Sequence, residues 1–165
     1  MTDSIQTLVQ ALRAELQEYG ELLALLDRQQ QLVIDRAAGE IFQSIGLIQT
    51  QGLAVRDARK LREECTRTLA ESVGEKAEAE FGLLIPLLPA VYRPLVKALV
   101  DENNELLVRV QQRARQNHLL LSRSLELMQG LLNSLLPNCE TLVYNGQGGM
   151  DRHGGAARML FEAVG

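Results

Sequence analysis

The hydrophobic residues at the start of the chain recur every seven residues, which is the spacing of a coiled-coil helix. One position of this heptad is filled by Ile5, Leu12, Tyr19, Leu26 and Val33, and the other by Val9, Leu16 and Leu23. Polar residues fill most of the remaining positions, so the helix has a single apolar stripe for a neighbouring helix. The pattern predicts a first helix over about residues 4–34. Asp35 is predicted to cap a second helix that starts close by.

A second apolar stripe follows the predicted turn at Asp35 and becomes narrower toward its end. Its branched aliphatic positions are Ile41, Ile45, Ile48 and Val55. Gly74 is predicted to end this helix, because glycine readily takes the left-handed conformation found after helix C-termini. We therefore expect a helix over about residues 36–73 that pairs with the first one as an antiparallel hairpin.

Prolines and a glycine interrupt regular helix within residues 75–93, although this segment is rich in apolar side chains. We expect the segment to pack across the open end of the hairpin. A third helix is predicted over about residues 90–136, because Pro94 is tolerated in a first turn and Pro137 stops the helix. Asn103 and Asn117 fall near its apolar face, where a buried asparagine fixes register at a cost in stability.

The last third of the third helix has more leucine than a single helix neighbour requires. At about 100° per residue, its apolar side chains spread over about half of the helix circumference. Two helices cover such a face in an ordinary bundle. The third helix, however, is predicted to be longer than the second and to extend past the turn at Asp35. A large uncovered apolar face usually marks a partner site, and an amphipathic helix commonly fills it.

Composition supports an all-α fold. Only 4% of the 165 residues are aromatic and tryptophan is absent, while leucine, alanine, glutamate, glutamine and arginine dominate, as in long helices. We predict an elongated antiparallel three-helix bundle over residues 1–137 and a flexible, glycine-rich tail over residues 138–165. No apolar run is long enough to insert into a membrane, and the first residues lack the features of a signal peptide.

The charge pattern argues against nucleic acid as a partner. The 17 basic and 21 acidic residues are mixed along the chain and give a net charge of -4, so no strongly basic surface is predicted. A basic cluster on the third helix lies among glutamines without aromatic residues between its members, which favours a solvated or protein-facing surface. Its members are Arg109, Arg113, Arg115 and Arg123.

The sequence contains no motif for nucleotide binding, nucleophilic catalysis or a metal centre. We therefore predict no catalytic residue, cofactor or metal, and no enzyme activity. Cys65 and Cys139 lack the spacing of metal ligands and are interpreted as free thiols in a reducing cytosol. His118 lies on a helix, as does the phosphorylated histidine of helical phosphotransfer domains, but a polar surface histidine is the favoured interpretation.

The order of these features resembles the FlgN-like bacterial flagellar export chaperones, which serve the hook-filament junction proteins. The similarity rests on the early leucine heptads, the turn at Asp35, the charged second helix, residues 115–121 before the leucine-rich turns, and residues 144–148 beyond them. The resemblance implies a cytoplasmic chaperone that works without nucleotide or metal. It also implies that the chaperone holds the C-terminal helices of its export substrates, prevents premature assembly, and delivers them to the cytoplasmic domain of the membrane export gate.

The resemblance further implies roles for particular side chains. The expected cargo-binding residues are Asn117, Leu120, Leu121, Leu125, Met128, Leu131, Leu132 and Leu135. Tyr144, with Gly146 and Gly148, is expected to dock on the export gate, because a tethered tyrosine offers an apolar ring and a hydroxyl. We expect a monomer or a weak dimer. Two other hypotheses stay open: a helical adaptor that homodimerises through the same leucines, and a phosphotransfer module that uses His118.

Overall fold

The computed structural model describes residues 2–76 and 79–135, and all regular structure among these residues is helical. The all-α prediction is thus confirmed. The elements in chain order are α1 (Thr2–Ile34), α2 (Ala38–Ser72), the short α3 (Phe81–Leu84), a 3-10 helix (Ile85–Leu87) and α4 (Arg93–Leu135). The second and third long helices begin two and three residues later than their predicted starts at 36 and 90.

Two structural units divide the chain, Met1–Arg123 and Ser124–Gly165. The first unit contains α1, α2, α3, the 3-10 helix and the part of α4 that ends at Arg123. Within the second unit the structure describes residues 124–135, which are the last three turns of α4.

In the first unit, α1 and α2 run in opposite directions. Near the turn that joins them, Gln29 of α1 donates its Nε2 to Ser44 Oγ of α2 at 3.2 Å. Farther from the turn, Arg62 Nε of α2 lies 3.0 Å from Glu15 Oε2 of α1. Residue numbers therefore fall along α1 as they rise along α2, which is the pairing of a helical hairpin.

The turn between α1 and α2 differs from its prediction, because Asp35 does not cap α2. The N-cap residue is Ala37, without a side-chain hydrogen bond, and the Asp35 carboxylate accepts a hydrogen bond from Gln31 Nε2 at 3.0 Å instead. Arg36 has a positive φ of 58°, and the N–H of Ala37 donates to Leu32 O at 3.0 Å. The turn is thus a C-terminal stop of α1 built on a left-handed arginine.

The same kind of stop ends α2, here with glycine in the left-handed position. Gly74 has a φ of 80°, and the N–H of Glu75 donates back to Ala70 O at 2.9 Å. Glycine takes this conformation without the steric cost of a Cβ. The chain consequently leaves α2 where the sequence predicted that it would.

The main core lies at the open end of the hairpin. It joins the start of α1, the end of α2 and the start of α4, together with Leu88 from the connection; its buried members are Ile5, Leu8, Val9, Leu12, Leu69, Leu88, Val96 and Leu99. From the connection, Phe81, Ile85 and Tyr92 also pack against this cluster. The apolar content of residues 79–92 is therefore used in part to cover the end of the bundle.

In the first unit, α4 runs parallel to α1. Asn103 donates its Nδ2 to Leu12 O at 3.0 Å, and Asn117 donates its Nδ2 to Leu26 O at 2.7 Å. Both pairs are separated by 91 residues, so the two helices keep one register between these contacts. Val110, halfway between the asparagines, joins a second cluster of buried residues on α1, formed by Tyr19, Leu23 and Leu26.

Candidate functional site

The last turns of α4 expose a group of large apolar side chains, which we call the leucine surface. Each of its members is between 56% and 76% exposed, and they are Leu125, Leu127, Met128, Leu131 and Leu132. Four of these five belong to the predicted cargo-binding set. The fifth, Leu127, is the most exposed of them and was not included in that set.

The other predicted site residues have different surroundings. Leu120 and Leu121, in the first unit, are half-buried, whereas the neighbouring Leu119 is 59% exposed. Leu135 is the last residue of α4, and its side chain lies outside the described part of the structure. The predicted gate-docking residues lie outside the described residues as well; these are Tyr144, Gly146 and Gly148.

Asn117, one of the predicted cargo-binding residues, is buried inside the first unit. Its side chain is only 2% exposed, and its amide nitrogen is used inside the bundle by Leu26 O and by Gln29 Oε1 at 3.1 Å. A second protein cannot reach this group in the folded first unit. The prediction that Asn117 lies near the apolar face of the third helix is confirmed, as is that for Asn103, which is 6% exposed.

A buried chain of hydrogen bonds extends from Asn117 across all three long helices. Asn117 of α4 donates to Gln29 of α1, Gln29 donates to Ser44 of α2, and Ser44 Oγ donates to Ile41 O at 2.7 Å. The three side chains are between 2% and 6% exposed. Because unpaired buried polar groups are costly, these bonds fix the first unit's helices relative to one another a few residues before Leu120.

Comparison with known proteins gives a family for this helical chain. A family model described as FlgN protein matches residues 1–152. The chain belongs to the FlgN family. This is a family of flagellar export chaperones, so the resemblance inferred from the sequence is confirmed. No curated protein and no solved structure matched the chain.

Among the described residues of this FlgN-family chain, the ion pair between Glu15 and Arg62 is more buried than the ion pairs on the surface. Glu15 is 3% exposed and receives hydrogen bonds from Arg62 Nε at 3.0 Å and from Tyr19 OH at 3.3 Å. The guanidinium carbon of Arg62 lies 6.0 Å from the centre of the Phe81 ring, within the range of a cation–π contact. This network ties α1 to α2 and to α3.

The network also affects the titration of Tyr19. Burial raises the pKa of the Tyr19 phenol above its ordinary value of 10.0, and the negative charge of Glu15 raises it further. The phenol therefore remains protonated at neutral pH and acts as a hydrogen-bond donor to the carboxylate. This is a structural arrangement, because both groups are almost completely shielded from solvent.

The remaining side chains that could bind a metal or react chemically form no cluster among the described residues. His118 is exposed on α4, and among residues 2–76 and 79–135 no group of three or more His, Cys, Asp or Glu side chains is arranged to hold a metal ion. Cys65 is a free, half-buried thiol, and burial raises its pKa. In the described part of the FlgN-family chain, no helix is both long enough and apolar enough to cross a membrane.

Proposed function

We propose that this FlgN-family protein binds the C-terminal helices of flagellar hook-filament junction proteins in the cytoplasm and delivers them to the cytoplasmic domain of the membrane export gate. The observation that supports this cargo site is the leucine surface, five large apolar side chains left exposed on one helix. An export chaperone needs such a surface, because its cargo presents helices that would otherwise associate before export.

The spacing of the leucine surface suits a helical partner. At about 100° per residue, Leu125, Met128 and Leu132 lie within about 60° of one another around α4. Side chains at such i, i+3 and i+7 positions form the stripe by which one amphipathic helix packs on another. Burying a leucine or methionine contributes about 2 kcal/mol, so a few of these side chains supply much of the affinity of a transient complex.

The cargo site is tested with the same leucine-to-aspartate substitution at two positions on different helices. Leu132→Asp places a carboxylate in the leucine surface, and Leu53→Asp places one on α2 at a leucine of similar exposure, 52% against 56%. We expect Leu132→Asp to weaken binding of a junction protein's C-terminal segment by more than about a hundredfold, because a carboxylate is costly to bury. Leu53→Asp is expected to bind as the parent does in titration calorimetry.

Two results would contradict this assignment. One is that Leu132→Asp and Leu125→Asp, each tested as a single variant, both bind cargo as the parent does. The other is a homodimer in light scattering that Leu125→Asp abolishes while neither variant nor parent captures junction proteins from the lysate of a flagellated bacterium. The second result would favour the homodimerising adaptor.

Delivery is proposed to depend on Tyr144, which is followed by Gly146 and Gly148 and comes twelve residues after Leu132 in the sequence. Tyr144→Ala should leave cargo affinity unchanged and weaken association with the purified gate domain. Tyr144→Phe separates the contributions of ring and hydroxyl, because it keeps the apolar area and removes only the donor. Gate binding that Tyr144→Ala leaves intact would remove Tyr144 from the mechanism.

A further inference from the structure

Within the first unit, the face of α4 that contacts α1 alternates between valine and asparagine. Every seventh residue of this face is buried, and the four residues are Val96, Asn103, Val110 and Asn117. Positions at this spacing occupy the seam of a coiled coil, where apolar residues give stability and asparagine gives register. Two of these four positions are thus polar.

The two asparagines are incompletely satisfied. Each donates its Nδ2 to a carbonyl of α1, but Asn103 Oδ1 and Asn117 Oδ1 are buried and have no hydrogen-bond partner among the described residues. A buried acceptor without a donor destabilises the closed arrangement, since water would satisfy it if the seam opened. The seam therefore contains two groups that gain hydrogen bonds on separation.

The packing between α4 and α2 is also incomplete. A pocket of about 380 Å³ that is open to solvent lies between the three long helices of the first unit and residues 80–82. Arg59 and Arg62 line it from α2, and Val100, Asn103 and Leu107 line it from α4. By contrast, α1 and α2 are joined directly by the buried Glu15–Arg62 ion pair and by Gln51 Nε2 to Glu18 Oε2 at 2.6 Å. The ion pair that joins α4 to α1, Arg113 Nε to Asp27 Oδ1 at 2.6 Å, is more exposed.

We propose that α4 separates from the α1–α2 hairpin in a partial opening of the first unit, while the hairpin stays folded. The polar layer at Asn103 lowers the cost of this motion, and both asparagines restore a single register when α4 returns to α1. The opening uncovers Leu120 and Leu121, which are half-buried in the closed form. Only this link to cargo rests on the proposed function; the opening itself does not.

The opening is measured with a buried thiol on the seam of the full-length chain. Val110→Cys, in a background where Cys65 and Cys139 are replaced by serine, places one thiol at a position that is 6% exposed. Its rate of labelling by a thiol reagent is followed against urea and compared with global unfolding by circular dichroism. A partial opening exposes less surface than global unfolding. We therefore expect the free energy of opening, obtained from the labelling rate, to depend less steeply on urea than the free energy of global unfolding does.

The role of the asparagines is tested by Asn103→Val, which makes the seam continuous in valine from Val96 to Val110, with Asn104→Val as the control. Asn104 is the exposed neighbour on the same helix, so both changes have the same helix propensity cost. Asn103→Val is expected to slow labelling of the Val110→Cys thiol by about tenfold or more, because it removes a buried unpartnered oxygen; Asn104→Val is expected not to slow it.

Either of two outcomes would overturn the proposal. One is labelling of the Val110→Cys thiol, with both asparagines present, that shows the full urea dependence of global unfolding. This would show that α4 leaves only when the whole unit unfolds. Equal labelling rates in Asn103→Val and Asn104→Val would show that the polar layer at Asn103 does not control the motion. The urea dependence of labelling tests whether α4 opens separately even if Asn103→Val folds poorly.

Discussion

The side-chain amide of Asn117 on α4 donates a hydrogen bond to the backbone carbonyl of Leu26 on α1 at 2.7 Å. The same nitrogen donates to Gln29 Oε1 at 3.1 Å. Asn103 makes the equivalent bond to Leu12 O, but its second acceptor is Leu99 O on its own helix. The two asparagines thus have the same register on α1 and different partners, so their replacements should differ in effect.

Asn117→Val is predicted to lower the free energy of unfolding by about 2 kcal/mol, because it leaves the buried Gln29 Oε1 without its donor. Asn103→Val is predicted not to destabilise the protein, since its acceptors are helix carbonyls. Urea denaturation followed by circular dichroism measures both. Adding Gln29→Leu to Asn117→Val should recover part of the loss, and strictly additive effects of these two changes would contradict the proposed coupling.

Arg62→Met is predicted to destabilise the protein by about 3 kcal/mol, because Glu15 would remain buried without its ionic partner. The Arg62 side chain is 18% exposed and that of Glu15 is 4% exposed. The control is Arg59→Met, whose partner Glu63 and own side chain are about half exposed; it should cost less than about 1 kcal/mol. If thermal unfolding shows similar losses of stability for the two variants, burial does not determine the strength of the Arg62 pair.

The two left-handed helix stops predict stability changes of opposite sign. Arg36→Gly relieves a non-glycine residue at φ 58° and should stabilise the protein by up to about 1 kcal/mol. Gly74→Ala introduces a Cβ at φ 80°, where the space around it is open, so only backbone strain should destabilise it, by about 1 kcal/mol. Gly46→Ala, in the interior of α2 with open space around it, is the control and should stabilise. A stabilised Gly74→Ala variant would contradict the strain argument.

Periodicity was sufficient to predict the long helices and the exposed leucines. The heptads of α1 identified Ile5, Leu12, Tyr19 and Leu26, all of which are buried. The leucines near the end of α4 exceeded what one neighbour covers, and five large apolar side chains are exposed there. Both results follow from counting apolar residues per turn, which does not require knowledge of distant contacts.

The polar core was not predictable in the same way. Glu15 and Gln29 occupy α1 positions between the heptad residues, and their burial depends on Arg62 and Ser44, which come from α2. Asn117 was placed on the correct face, but sequence spacing alone did not show that its side chain is bonded to α1. Asp35 was predicted as a cap because aspartate commonly caps helices; the backbone instead ends α1 with a left-handed Arg36.

Tyr19 predicts how stability depends on pH in the alkaline range. Its pKa in the folded protein is raised above 10.0 by burial and then by Glu15, so the unfolded chain ionises this phenol first as pH rises. The folded state therefore binds more protons, and the free energy of unfolding falls above pH 10.0. Below that pH the phenol is protonated in both states, and its stabilising contribution is fully present. Tyr19→Phe should lose this dependence. Urea denaturation at several pH values around 10.0 measures the difference between the two proteins. A constant difference in unfolding free energy across this range would show that the Tyr19 phenol titrates alike in the folded and unfolded states.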